Sequence, residues 1–142
     1  MNILPAKVSE QSVLRLFSEH DDFMLDFLGE DKAYYTRYDV SENIENVWIA
    51  YEQDQPIGCI AYRKKNPDSG EVKRLFIRKD HRGKGISKQL FNVLKDHARA
   101  QGCRKLYLDT RITLEPAVSL YKSLGFEITF RQGLYIQMES II

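Results

Sequence analysis

Apolar side chains recur along this chain in two rhythms. In residues 47–62, "VWIAYEQDQPIGCIAY", Val47, Ile49 and Tyr51 alternate before a polar turn, and Ile57, Cys59 and Ala61 alternate after it. That period of two predicts a β-hairpin. A second turn signal, "NPDSG" at 66–70, leads into "EVKRLFI", a strand expected to be polar at its start and buried at its far end. From Ile86 the period lengthens: Ile86, Leu90, Val93, Leu94 and Ala98 share one face of a long helix that Gly102 stops. "RKLYLDT" predicts a further strand, and "EPAVSLYKSLGF" a helix with Pro116 in its first turn and Gly125 at its end. "FEITF" and "LYIQME" predict two closing strands around "RQG".

Towards the N-terminus, "NILPAKV" reads as an edge strand marked by Pro5. Ser9 is expected to cap a helix carrying Val13, Leu14, Leu16 and Phe17, and "DDFMLDFLG" a second short helix begun by Asp21 or Asp22 and ended by Gly29. Residues 30–44, polar and rich in tyrosine, are expected to be a loop. The order β-α-α-β-β-β-α-β-α-β-β is that of an α/β domain, a mixed sheet with helices on both faces.

The 142 residues make a single domain, residues 1–142, of a size that holds its own core. An aromatic content of 11% argues against disorder. No apolar run approaches the ~20 residues of a membrane helix, and "MNILPAKVSEQ" lacks the regions of a signal peptide. A cytoplasmic protein with no membrane association is therefore expected. Cys59 and Cys103 lie far apart in no metal-ligand spacing, so no metal is expected, and the pair read as reduced thiols.

The net charge of +1 hides an asymmetry. Residues 1–62 hold four Lys/Arg against twelve Asp/Glu, and residues 63–142 hold seventeen against eight. Within 73–88 seven basic side chains face one acid, Asp80, which favours an anionic ligand. The densest part is "IRKDHRGKGISKQL", where a strand gives way to the long helix. A helix N-terminus offers free amides and partial positive charge, and glycines before it let backbone approach a ligand. Residues 82–88 are therefore expected to cradle a pyrophosphate, with Gly83 and Gly85 in the bend and Arg82, Lys84 and Lys88 adding charge. A Walker A string is absent, and a Rossmann fingerprint would need glycine where Lys88 stands. Phe76 is the only aromatic within the basic cluster, so a nucleic-acid partner is not expected.

"VKRLFIRKDHRGKGISKQLF" with "EPAVSLYKSLGF" resembles the GCN5-related N-acetyltransferase (GNAT) superfamily. The family's Q/R-x-x-G-x-G/A signature is matched by Arg82-x-x-Gly85-x-Ser87, with serine as the last small residue. The resemblance covers residues ~45–130 and implies a GNAT-like, mostly antiparallel mixed sheet. It implies acetyl-CoA as co-substrate, its pyrophosphate on the amides of Arg82, Gly83, Lys84, Gly85, Ile86, Ser87 and Lys88. The pantetheine arm would pair with Leu75, Phe76 and Ile77 like an added strand. Arg78 and Lys79 would add charge beside the phosphates.

By the same resemblance Tyr121, in "LYKSLGF", is the general acid for the leaving thiolate; the alternative is that it simply packs on the apolar face it shares with Ala117 and Leu124. Glu71 is a candidate base, often acting through water in the family, but a strand-end carboxylate paired with Lys73 or Arg74 is the alternative. An amide of 75–77 would stabilise the oxyanion. The implied function is acetyl transfer to a primary amine of a small molecule or peptide, directly in a ternary complex. The alternative is a non-catalytic CoA-binding regulatory domain. The acceptor would meet residues ~20–50 and the closing strands by analogy. There Asp21, Asp22, Asp26, Glu30 and Asp31 would suit a cationic amine or simply form a solvated face, Arg63 would suit a carboxylate, and Tyr34, Tyr35 and Tyr38 would line the pocket or cover the core. A homodimer through the closing strands also fits the superfamily.

Overall fold

The computed structural model describes all 142 residues, the side chains of residues 31 and 34 excepted. The strands are β1 (Asn2–Ala6), β2 (Asn46–Glu52), β3 (Gln55–Asn66), β4 (Ser69–Ile77), β5 (Lys105–Arg111), β6 (Glu127–Gln132) and β7 (Tyr135–Ile141). The helices are α1 (Gln11–Leu28), α2 (Ile86–Ala100) and α3 (Glu115–Ser123). Short 3₁₀ turns occupy Gly29–Tyr34, Val40–Glu42 and Lys79–His81. The strands form one seven-stranded sheet in the order β1-β2-β3-β4-β5-β7-β6. Every neighbouring pair is antiparallel except β4 and β5.

The expected order of elements holds, with one merger. Residues 11–28 form a single helix rather than two. Asp21 does not start a new helix, because its carboxylate accepts hydrogen bonds from Tyr35 and Arg74 and from the Tyr38 amide. Nor does Ser9 cap α1: a turn closed by Glu10 N–H to the Lys7 carbonyl (2.9 Å) precedes it, and the helix begins at Gln11. Gly29, at φ +54°, stops the helix as expected.

Both faces of the sheet are covered over β2–β4, so Val47 and Ile49 face α1 while Trp48 and Ala50 face α2. The core on the α2 side holds Ile60, Tyr62, Leu90, Phe91, Leu94 and Leu106. Each such fully buried side chain contributes roughly 1.5–3 kcal/mol. The core on the α1 side is smaller and includes Val13, Leu16, Phe17, Cys59 and Phe76.

β4 departs from the expected polar start. Ser69, Gly70, Glu71, Val72, Arg74, Phe76 and Ile77 are all buried, because the strand is central and pairs on both sides at that start. Its pairing with β5 lasts three rungs, from Ser69↔Lys105 to Glu71↔Tyr107. Gly70 is needed there: a Cβ would lie 2.4 Å from Tyr62 Cε2, and Tyr62 is fully buried. On the other edge, Cys59 pairs with Phe76 but Ala61 pairs with Lys73, so Ile60 faces both Arg74 and Leu75. This is a β-bulge, and Arg74 sits in it at φ +55°. Beyond Glu71 and Tyr107, β4 and β5 diverge and open the sheet.

Candidate active site

The opening between β4 and β5 continues into a cleft of about 1340 Å³. That exceeds the ~300–1,000 Å³ of a drug-sized ligand pocket, so the cleft is large enough for more than one ligand group. One wall is the far end of β4 with Leu75, Phe76 and Ile77, whose β5-side edge carries no strand. Gly83, Gly85, Ile86, Ser87 and Lys88 line the end at the α2 N-terminus, and Tyr121 comes from α3. Thus the predicted site residues that converge on the cleft are Glu71, 75–77, Arg82, Gly83, 85–88 and Tyr121. Lys84 is exposed and not part of its lining.

The bend before α2 has the geometry an anion needs. Gly83 and Gly85 both stand at φ +77°, a left-handed conformation that other residues adopt at a cost. A Cβ at either would meet nothing within 4 Å, so the requirement is conformational and the space is open to a ligand. Main-chain bonding stops with Arg82 N–H to the Lys79 carbonyl (3.4 Å) and resumes with Gln89 N–H to the Gly85 carbonyl (3.2 Å). Between them, the amides of 85–88 are the four a helix start leaves without internal acceptors, and 83 and 84 belong to the bend before it.

The basic cluster around this bend divides by partner. Arg78 donates two hydrogen bonds to Glu19, at 2.8 and 2.7 Å. Arg82 donates from Nε to the Ile77 carbonyl (2.9 Å) and lies over the rings of Phe23 and Phe76, at 4.8 and 5.8 Å. Among the described residues, no salt bridge uses Lys79, Lys84 or Lys88.

Tyr121 packs edge-on against Phe126 with ring centroids 6.0 Å apart, and none of the described hydrogen bonds uses its hydroxyl. Burial pushes the phenol up to about 12, so it stays protonated at neutral pH. Glu71 is differently held. It stands directly across from Arg63 in the β3–β4 ladder, and Arg63 Nε donates to its Oε1 at 2.5 Å. Lys73 Nζ lies 4.0 Å from its Oε2. Glu71 is thus paired with Arg63 closely and with Lys73 at longer range, as the spacing allowed for Lys73, while Arg74 turns elsewhere, and Arg63 is correspondingly engaged.

Several cleft residues escaped the sequence reading. Arg74 is buried and reaches α1 and the 40–42 turn: Nη1 donates to Asp21 Oδ1 (2.5 Å), and Nη2 to Glu42 Oε2. Burial by itself would raise the Asp21 carboxyl, but hydrogen bonds from Tyr35, Arg74 and the Tyr38 amide outweigh it and hold it low. His20 also lines the cleft, its Nδ1 3.5 Å from Arg74 Nη1. Burial first, then the Arg74 charge, drop its imidazole to about 4. Asp109 and Tyr135 face each other from β5 and β7, the Tyr135 hydroxyl donating to Asp109 Oδ1 at 2.8 Å. The available signal for Arg74 was a charge inside an otherwise apolar strand end.

The acidic N-terminal cluster is partly spent. Asp21 serves Arg74, Tyr35 and Tyr38, and Asp22 pairs with Arg37 at 2.5 Å. Tyr35 lines the cleft, and Tyr38 packs edge-on against Phe17 at 4.9 Å. The Asp31 and Tyr34 side chains lie outside the described residues.

The family model for acetyltransferases of the GNAT family matches residues 13–126. The chain belongs to the GNAT family. N-acetyltransferase 8 of Rattus norvegicus is 35% identical to it over 107 residues, 72% of this chain and 48% of that protein. The chain spans about half the length of the first curated relatives it matches. Its fold superposes on a Klebsiella pneumoniae protein assigned as an acyl-CoA N-acyltransferase with a TM-score of 0.80, at 22% identity, covering 99% of this chain and 96% of that one. It also superposes on the PaiA N-acetyltransferase of Thermoplasma acidophilum, solved in complex with coenzyme A. There the TM-score is 0.73 at 17% identity over 100% of both chains. The β4–β5 opening, the glycine bend and Tyr121 border one cleft. Among the described residues, no group of three or more His, Cys, Asp or Glu is placed to hold a metal, and no helix is long and apolar enough to cross a membrane.

Proposed function

We propose that this GNAT chain transfers the acetyl group of acetyl-CoA to a primary amine of a small molecule or peptide, directly in a ternary complex. The observation that carries the reading is the split of the sheet after Glu71 and Tyr107, with an open strand edge at 75–77, the helix-start amides of 85–88 and, among the described residues, a Tyr121 hydroxyl in no hydrogen bond, all around one cleft. The pyrophosphate would rest on the amides and Lys88. The pantetheine amides would pair with the open edge of β4, which would also supply the oxyanion donor.

Tyr121 would protonate the departing thiolate, since its phenol is still a donor at neutral pH. An acceptor amine must lose a proton before attack, its ordinary pKa being near ~10. Glu71 could take it through water from Oε2, the oxygen not bonded to Arg63. Asp109 is a second acceptor of that proton: it alternates with core residues Leu106 and Leu108, faces the open floor of the cleft, and is held by a neutral hydroxyl instead of a cation. The buried free thiols Cys59 and Cys103 fit a cytoplasmic setting. The exposed Ile128 and Phe130 of edge strand β6 fit a homodimer through the closing strands, which light scattering would show as a doubled mass.

The test is thiol release from acetyl-CoA with a panel of amines, alongside calorimetry with coenzyme A. Binding with amine-dependent thiol release is expected. Binding with no release across the panel would favour the regulatory CoA-binding alternative, and no binding would end both readings.

A further inference from the structure

The bulge of β4 is held from two sides. Its Arg74 carbonyl accepts a bond from the Cys59 thiol at 3.3 Å, and its Arg74 side chain is clamped by two carboxylates from different parts of the chain. Asp21 comes from the middle of α1, and Glu42 from the short turn that ends the 35–42 segment. Six residues of that segment line the acceptor side of the cleft: Tyr35, Thr36, Arg37, Asp39, Ser41 and Glu42. Tyr35 and Tyr38 join the same knot, through Tyr35 OH to Asp21 Oδ1 (2.6 Å), Arg74 Nη1 to Tyr35 OH (3.1 Å) and Tyr38 N–H to Asp21 Oδ2 (3.0 Å).

Two features of Arg74 demand a compensating hold. At φ +55° it occupies a conformation that a long side chain disfavours. A cation this buried is tolerated only with partners, and removing one partner leaves an uncompensated charge. The carboxylates meet both needs together. The bulge leads into Leu75–Ile77, where the Phe76 amide turns to β3 and those of Leu75 and Ile77 point to the open edge beside the cleft. The guanidinium therefore connects the strand that holds the acyl group to the wall that meets the acceptor.

We propose that Arg74 is a positioning residue of the acetyl-transfer site. Its side chain keeps the bulge of β4 left-handed, which aims the amides of Leu75 and Ile77, and it pins the 35–42 wall to that bulge. The proposal rests on the acetyltransferase reading for its kinetic consequences. The two tasks are separable by substitution, because glycine supplies the backbone conformation without the clamp, and alanine supplies neither.

The experiment compares Arg74→Ala, Arg74→Gly and Glu42→Gln with wild type, using kcat, KM for acceptor and for acetyl-CoA, and hydrogen exchange of the cofactor-free protein. Arg74→Ala should lose about tenfold or more in kcat, and Arg74→Gly should recover to within about threefold of wild type. Acceptor KM should stay raised about tenfold in both, with acetyl-CoA KM little changed, and exchange in 35–42 should rise in both. Glu42→Gln, which empties no buried site, should raise acceptor KM and 35–42 exchange in the same direction. Equal kcat for the Ala and Gly variants would overturn the backbone role. Unchanged acceptor KM and exchange would overturn the wall role, and Glu42→Gln decides this if the Arg74 variants do not fold. A wild type that turns over no amine would sink the acetyltransferase reading, while exchange in 35–42 would still judge the clamp.

Discussion

Tyr121 and Glu71 stand on one cleft and differ in what already holds them. The Tyr121 hydroxyl has no engagement among the described hydrogen bonds, and burial keeps it protonated. Glu71 is tied to Arg63 by the register of β3 and β4. Tyr121→Phe removes one oxygen and leaves the edge-on contact with Phe126 intact. Its melting temperature should match wild type, while kcat falls by ~10²-fold or more. Steady-state kinetics beside a thermal melt measures both, and an unchanged kcat would return Tyr121 to a packing role. Tyr121 was legible from "LYKSLGF", since the motif is local. The Arg63–Glu71 pair was not, because it depends on which residues of two strands stand opposite one another.

The glycine bend and α2 act together as one element. Ile86 is buried in the core, so it contributes its amide to the cleft and its side chain to packing. Gly85 at φ +77°, with open space around it, contributes conformation alone. Gly85→Val puts a β-branched residue in the left-handed region, at ~1–2 kcal/mol or more, and swings the loop away from the anion geometry. Affinity for coenzyme A should fall at least tenfold by calorimetry, with far-UV circular dichroism unchanged. Equal affinity would mean the phosphates rest elsewhere. The long helix, its two glycine boundaries and the bend were all legible, because period and punctuation are properties of neighbouring residues. The continuity of α1 was not: Asp21 looks like a helix start until Arg74, 53 residues away, takes its carboxylate.

At the scale of the whole molecule, the acidic first half and basic second half meet inside the fold as ion pairs. Glu19–Arg78, Asp21–Arg74 and Glu42–Arg74 each join the two. This gives stability a definite pH dependence. His20 titrates near 4 in the folded chain against 6.5 unfolded, so between those values the unfolded state takes up a proton the folded state declines. Stability should therefore fall as pH drops from about 6.5 towards 4. Asp21, held low, contributes stability above the ordinary carboxylate range that is lost on further acidification. Urea midpoints measured from pH 7 to 4 should decline, and His20→Gln should flatten the decline. An identical slope in that variant would remove His20 as its source.

The sequence alone determined what neighbouring residues can settle: the strand and helix periods, the glycine bend before α2, the Tyr121 motif and the uneven distribution of charge. The tertiary structure decided everything that required distant residues to meet. It set where β4 parts from β5, which carboxylate faces Arg63, and that a buried arginine in a left-handed bulge ties α1 to the 35–42 segment. The physical reason is that periodicity is written into adjacent side chains, whereas register, bulges and buried ion pairs are relations between segments that the chain brings together only on folding.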